Sequence, residues 1–236
     1  MDNPYTAPAT DVRQAEYEVA GAAPYTVAEL RASFARFAWS YWAYVGSIVL
    51  LFGFLVAVGV QAALQGKAGS EAELQQYVQS WLMAVGFIGI FIIIVGVLAA
   101  IFSLILLYRY WAVMQPYTKR TTPGKAVGFL FIPIFNLYWL FVAYHGLAKD
   151  IDSYLNTNRD SVAPRPSSGL ILSMVILFLI SLLALVGNVV LLALVGNLAG
   201  LVLIVVLFLS KIRLNNSIIG IIQDRSRQLA SAVPSK

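Results

Sequence analysis

Apolar and polar stretches alternate along this chain on the length scale of a bilayer. The first long apolar run is 41–64, and its 24 residues would cover about 36 Å as a helix. That is enough for a hydrocarbon core of roughly 30 Å. A second run, 81–107, follows. Gly169–Ser210 then carries no charged residue at all. As one helix it would reach about 63 Å, so it is expected to fold into two spans, at about 169–187 and 196–213. Its turn is expected within 186–197, at Gly187-Asn188 or Gly196-Asn197, because Gly and Asn tolerate positive φ.

Between these runs lies Ala126–Leu147, AVGFLFIPIFNLYWLFVAYHGL. It is apolar but interrupted. Pro133 removes a helix donor and clashes with the preceding turn. Asn136 brings an amide into the apolar run. The pattern predicts half-helix, break, half-helix. Charge decides how the segment lies. If it crossed, with the N-terminus inside, seven Lys and Arg would lie inside and nine outside. If it enters and leaves on one side, fifteen of the sixteen lie inside and only Lys67 is outside. Lys/Arg asymmetry in short loops sets orientation. The expected architecture is therefore all-α, with four transmembrane helices as two hairpins. One re-entrant or interfacial segment, 126–147, joins them, and both termini are cytoplasmic.

Capping signals place the helix starts. Thr26 with Glu29, and Ser70 with Glu73, each form a capping box. Val27, Leu30, Phe34, Phe37 and Tyr41 recur at helical spacing. They belong to an amphipathic lead-in at the interface or to an extension of span one. Residues 1–25, with Pro4, Pro8 and Pro24, read as a flexible tail. Residues 26–215 form one membrane domain, and 216–236 a cytoplasmic tail.

Composition agrees: 60% of residues are hydrophobic and 11% charged, against about 25% charged in soluble domains. The net charge of +5 comes from basic residues at span ends, so anionic lipid is the expected partner and nucleic acid is not. Lys211 and Arg213 are expected to snorkel to the interface. With no cysteine and one histidine, no cofactor, metal or catalytic residue is expected.

The candidate positions are Gly124, Gly128, Pro133, Asn136 and His145. Gly124 and Gly128 are not spaced as a phosphate loop and read as sites of close backbone packing. Asn136 reads as the N-cap of the second half-helix, with an ion or polar-substrate contact as the other reading. His145 reads as structural. Asp150, Asp152 and Asp160 lack the Gly and Glu of a calcium loop. Gly196 with Gly200, and Ala99 with Ser103, are helix-packing pairs.

The stretch PGKAVGF-x-FIP-x-FNLYW, from Pro123 to Trp139, resembles a signature of uncharacterised bacterial multi-spanning membrane proteins, a domain of unknown function. Asn3-Pro4-Tyr5 with Pro8 resembles leaders on such proteins. The resemblance implies a bacterial inner-membrane protein and brings no catalytic residue with it. The leading expectation is a non-enzymatic scaffold or accessory subunit, as a homo-oligomer or with a membrane partner. A channel or transporter using the break at Pro133–Asn136 is the alternative. A lipid-modifying enzyme using His145, Lys149, Asp150 and Asp152 is the weakest.

Overall fold

The computed structural model describes residues 23–65, 71–186 and 190–232. Among them every regular element is helical. Helix α1 is Val27–Gln65 and α2 is Glu71–Met114, which runs into a 3₁₀ turn at Gln115–Tyr117. Short α3, Pro123–Gly128, leads into a 3₁₀ turn at Phe129–Phe131. Helix α4, Phe135–Leu140, continues through a π-helical turn at Phe141–Gly146 into α5, Leu147–Thr157. Helices α6, Ser168–Val186, and α7, Val190–Ala232, complete the chain.

Three helices are long and apolar enough to cross a membrane: Val27–Leu64, Trp81–Tyr117 and Ala199–Ser231. A fourth apolar stretch, Ser168–Leu182, is shorter. The chain thus has the helices of a membrane protein. Each long helix exceeds what a bilayer needs: the 39 residues of α1 rise about 58 Å.

The first capping box forms. The Thr26 N–H donates to Glu29 Oε2 at 2.8 Å, and the Glu29 N–H to Thr26 Oγ1 at 3.2 Å. Helix α1 then runs unbroken, so the lead-in is continuous with the first apolar run. The second box, at Ser70, lies outside the described residues. So do most of the 1–25 tail and the Gly187-Asn188 turn site. Helix α7 passes unbroken through Gly196-Asn197, which removes the other turn site. It also continues to Ala232, so no helix break marks the tail expected from residue 216.

The chain forms two compact units. One holds Ala35–Leu104. Here the Tyr44 ring lies where a Cβ on Gly96 would fall, 3.0 Å away, and Phe54 meets Trp81 edge-on at 5.0 Å. These contacts set the two helix segments antiparallel. Outward positions such as Leu50, Phe52 and Phe87 are exposed and apolar, as a lipid-facing surface requires.

The other unit holds the described residues up to Phe34 and those from Ile105 on. Its core includes Leu30, Leu106, Trp111, Leu147, Ile151, Ile171 and Leu214, all fully buried. Arg109 ties the start of α1 to α2: it donates to Ser33 Oγ at 2.6 Å and lies over the Tyr25 ring. Helices α6 and α7 pack side by side, and Ser210 Oγ donates to the Leu170 carbonyl at 3.4 Å.

Candidate functional site

The broken segment 123–146 folds back on itself. Thr122 caps α3, its Oγ1 accepting from the Lys125 N–H, and Pro123 sits in the first turn, where a missing donor costs nothing. After the Phe129–Phe131 turn, Ile132 is extended and the chain reverses at Pro133 and Ile134. The Phe135 N–H donates to the Pro133 carbonyl at 2.7 Å, closing a three-residue turn around Ile134. Ile134 has φ 64° and ψ −50°. This is the rare γ-turn, strained for any side chain and most for a β-branched one.

The returning arm is stitched to the outgoing one. Trp139 Nε1 donates to the Ala126 carbonyl at 3.1 Å. Phe129 meets Trp139 edge-on at 4.8 Å, and Phe135 stacks on Trp139 at 5.5 Å. The aromatic residues therefore serve the hairpin's own seam. Others form its outer surface: Phe131, Ile132, Ile134 and Tyr138 are exposed, Ile134 to 84%.

The base is held by polar groups. Arg120 makes a forked ion pair with Asp150, the shortest contact being 2.8 Å, and Thr118 Oγ1 donates to Asp150 Oδ2 at 2.6 Å. This hydrogen bonding raises the Arg120 pKa further above its ordinary value. A Cβ on Gly146 would stand 3.0 Å from Arg120 Cδ, so Gly146 opens the path by which Arg120 reaches Asp150 one turn on. Farther along α5, burial and then Tyr117 push the Tyr154 phenol up to about 12, so it stays neutral.

The π turn is anchored to both neighbouring long helices. One of its carbonyls takes a donor from outside the segment. Trp111 Nε1 donates to the Ala143 carbonyl at 3.0 Å. Lys211 Nζ donates to Tyr144 Oη at 3.0 Å and lies 4.5 Å from the centre of its ring. Beside them Tyr110 Oη donates to Asn215 Oδ1 at 3.3 Å. Lys211 is 1% exposed, so it does not snorkel as expected. A buried polar cluster exists where none was anticipated. Nothing in the spacing around Lys211 pairs it with Tyr144, 67 residues away.

The other candidates divide. Pro133 stands at the reversal, as expected of a helix breaker. Asn136 is not the N-cap: Ile134 holds that place, and no side chain caps the helix. The three-residue turn at the break starts the helix at Phe135 and puts its cap position two residues ahead of Asn136. Gly124 and Gly128 are not sites of close packing, since a Cβ on either would meet no atom within 4 Å. Gly200 is likewise open, and the side chains around Gly196 lie outside the described set. Ala99 is buried and Ser103 half-buried. His145 lies in the π turn with Nδ1 buried and unbonded. Asp150 is committed to Arg120, Lys149 is exposed, and burial raises the Asp152 pKa despite Arg165 nearby. The four residues weighed for lipid chemistry therefore do not form one cluster of free groups. Among the described residues no group of three acids or histidines could hold a metal.

Long apolar helices, a lipid-compatible surface and a broken aromatic hairpin define the class: a helical membrane protein. Residues 70–210 match the profile of DUF4328, a domain of unknown function. The chain belongs to that family. No curated protein and no solved structure matches it.

Proposed function

We propose that this protein is a non-enzymatic integral membrane scaffold or accessory subunit. Its distinguishing part is the 123–146 hairpin, which dips into the inner leaflet and returns. The observation that carries this reading is the register between the hairpin and α7. Tyr144 meets Lys211, where the apolar run of α7 ends. Farther on, just past the end of α5, Ser161 Oγ donates to Asp224. The α4–α5 rod therefore runs parallel to α7. Ile134 lies ten residues back from Tyr144, about 15 Å on the apolar side at 1.5 Å per residue. That depth is about half of a roughly 30 Å hydrocarbon layer. Exposed Phe131, Ile132 and Ile134 at the tip suit lipid there, and Lys119 and Arg120 at the base suit headgroups.

The same register supports four spans, with α6 and α7 as the second hairpin and both termini in the cytoplasm of a bacterium. The Trp139–Ala126 hydrogen bond and the Phe129–Trp139–Phe135 ring contacts close the seam, which favours a rigid presenting element over a gated path. The test is purification with native lipids. A stoichiometric membrane partner or a defined homo-oligomer is expected; a lone monomer with catalytic turnover contradicts the reading. The buried Lys211–Tyr144 pair with Asn215 favours transport as the second reading. Flux in proteoliposomes that falls in Lys211→Met would establish it, and absence of flux in the unaltered protein would end it.

A further inference from the structure

A cavity of about 530 Å³ opens between the end of α5 and the linker that follows, lined by Leu155, Asn156, Arg159, Ser161, Ala163 and Arg165. Its walls are built. The Asn158 N–H and Asn158 Nδ2 both donate to the Tyr154 carbonyl, at 2.9 and 3.0 Å, closing the end of α5. The linker is pinned to α7. Ser161 Oγ donates to Asp224, and the Val162 N–H reaches the other Asp224 oxygen at 3.4 Å. A Cβ on Gly220 would fall 2.5 Å from the Ala163 backbone, so only glycine lets the linker lie there. Pro164 and Pro166 stiffen its exit.

This fixed frame presents two guanidinium groups that the fold does not use. Among the described residues neither Arg159 nor Arg165 forms an ion pair or a hydrogen bond. Asp152 on α5 feels Arg165 electrostatically but makes no salt bridge with it. Asn156, one turn before the end of the face, adds an amide donor. Two planar forks lining one cavity are the side chains suited to bidentate bonding of phosphate oxygens. The volume lies within the usual range for small-ligand sites, about 300–1,000 Å³.

We propose that this cavity binds a phosphate group through Arg159 and Arg165, with Asn156 donating to it. The phosphate belongs to a soluble phosphate ester or to a lipid headgroup. This goes beyond the scaffold reading and does not depend on it.

The test uses the full chain in nanodiscs of zwitterionic phosphatidylcholine, titrated with inorganic pyrophosphate in a calorimeter. Saturable binding of one equivalent is expected. Each arginine is expected to contribute about tenfold or more in affinity, as charged hydrogen bonds do. R159Q/R165Q should therefore bind about 100-fold more weakly. K119Q, at the hairpin base, should bind as the unaltered chain does. If R159Q/R165Q fails to fold, R159K/R165K keeps the charge and loses the forks, and should still weaken binding. No saturable binding by the unaltered chain, or an equal loss in K119Q, overturns the proposal. Repeating the titration in phosphatidylglycerol nanodiscs separates the sources. Weaker pyrophosphate binding there, absent in R159Q/R165Q, identifies the headgroup; unchanged binding identifies a soluble ester.

Discussion

Two hairpins of similar apolar character stand side by side in one unit, yet they are built differently. In α6–α7 the two arms are long regular helices; among the described residues Ile171, Met174 and Val175 are buried, and Ser210 Oγ supplies the side-chain hydrogen bond between the arms. In 123–146 the arms are six-residue helices and turns, and every junction is fixed by a polar or aromatic contact. A long apolar helix satisfies its own backbone and needs only packing. A broken one exposes carbonyls and amides that hydrocarbon cannot satisfy. Trp139 to Ala126, Trp111 to Ala143 and the turn at Ile134 deal with those groups one by one. Hydropathy alone does not separate the two hairpins. The position of the polar fastenings does.

The sharpest way to break this comparison is at the linker between the hairpins. Gly220→Val would drive a branched side chain into the Ala163 backbone, which stands 2.5 Å from a Cβ already. A loss of about 3 kcal/mol or more is expected, read as lowered thermal stability in detergent. Next in size is Ile134→Asp. If the tip sits at depth in lipid, the charge costs about 2.5–3.5 kcal/mol, whereas an aqueous tip would lose almost nothing. Ile134→Gly is its companion: it relieves the φ 64° strain and should raise stability by about 1 kcal/mol. Asp150→Asn removes the clasp at the base. Arg120 is partly exposed, so the expected loss is about 1 kcal/mol, and weaker hairpin protection in hydrogen exchange should accompany it.

The smallest effect concerns Asp152. Burial raises its pKa, so folding penalises the charged carboxylate relative to the unfolded chain. Such a group contributes stability that is full below its unfolded pKa, near 3.8, and lost as pH rises through the folded value. Asp152→Asn should therefore melt slightly higher than the unaltered chain at pH 7. That advantage should vanish below the unfolded pKa.

Much of the helical architecture could be read from apolar runs, caps and breakers. The Thr26–Glu29 box, the long helices and the break at Pro133 each follow from local chemistry that periodicity and residue type reveal. What the sequence hid depends on distant chain segments. Lys211 looks like an interfacial lysine until Tyr144 is brought over it. Gly146 and Gly220 look ordinary, while Gly124 and Gly128, which look like packing glycines, meet nothing. Each needed glycine lies one turn before an aspartate that fastens a crossing chain: Asp150 holds Arg120, and Asp224 holds Ser161. That Gly-x-x-x-Asp pairing, present at 146–150 and 220–224, is the signal that could have found both fastenings. The Asn136 misreading has the same origin, because a γ-turn at a β-branched residue has no compositional mark.

The most direct measurement places single cysteines at Lys119 and Asp160, one before the hairpin and one after it. The chain has no native cysteine, so each reports alone. An impermeant thiol reagent applied to sealed vesicles of known orientation should reach both positions from the cytoplasmic side only. Labelling of the two positions from opposite faces would show that 126–147 crosses the membrane, and would contradict the account.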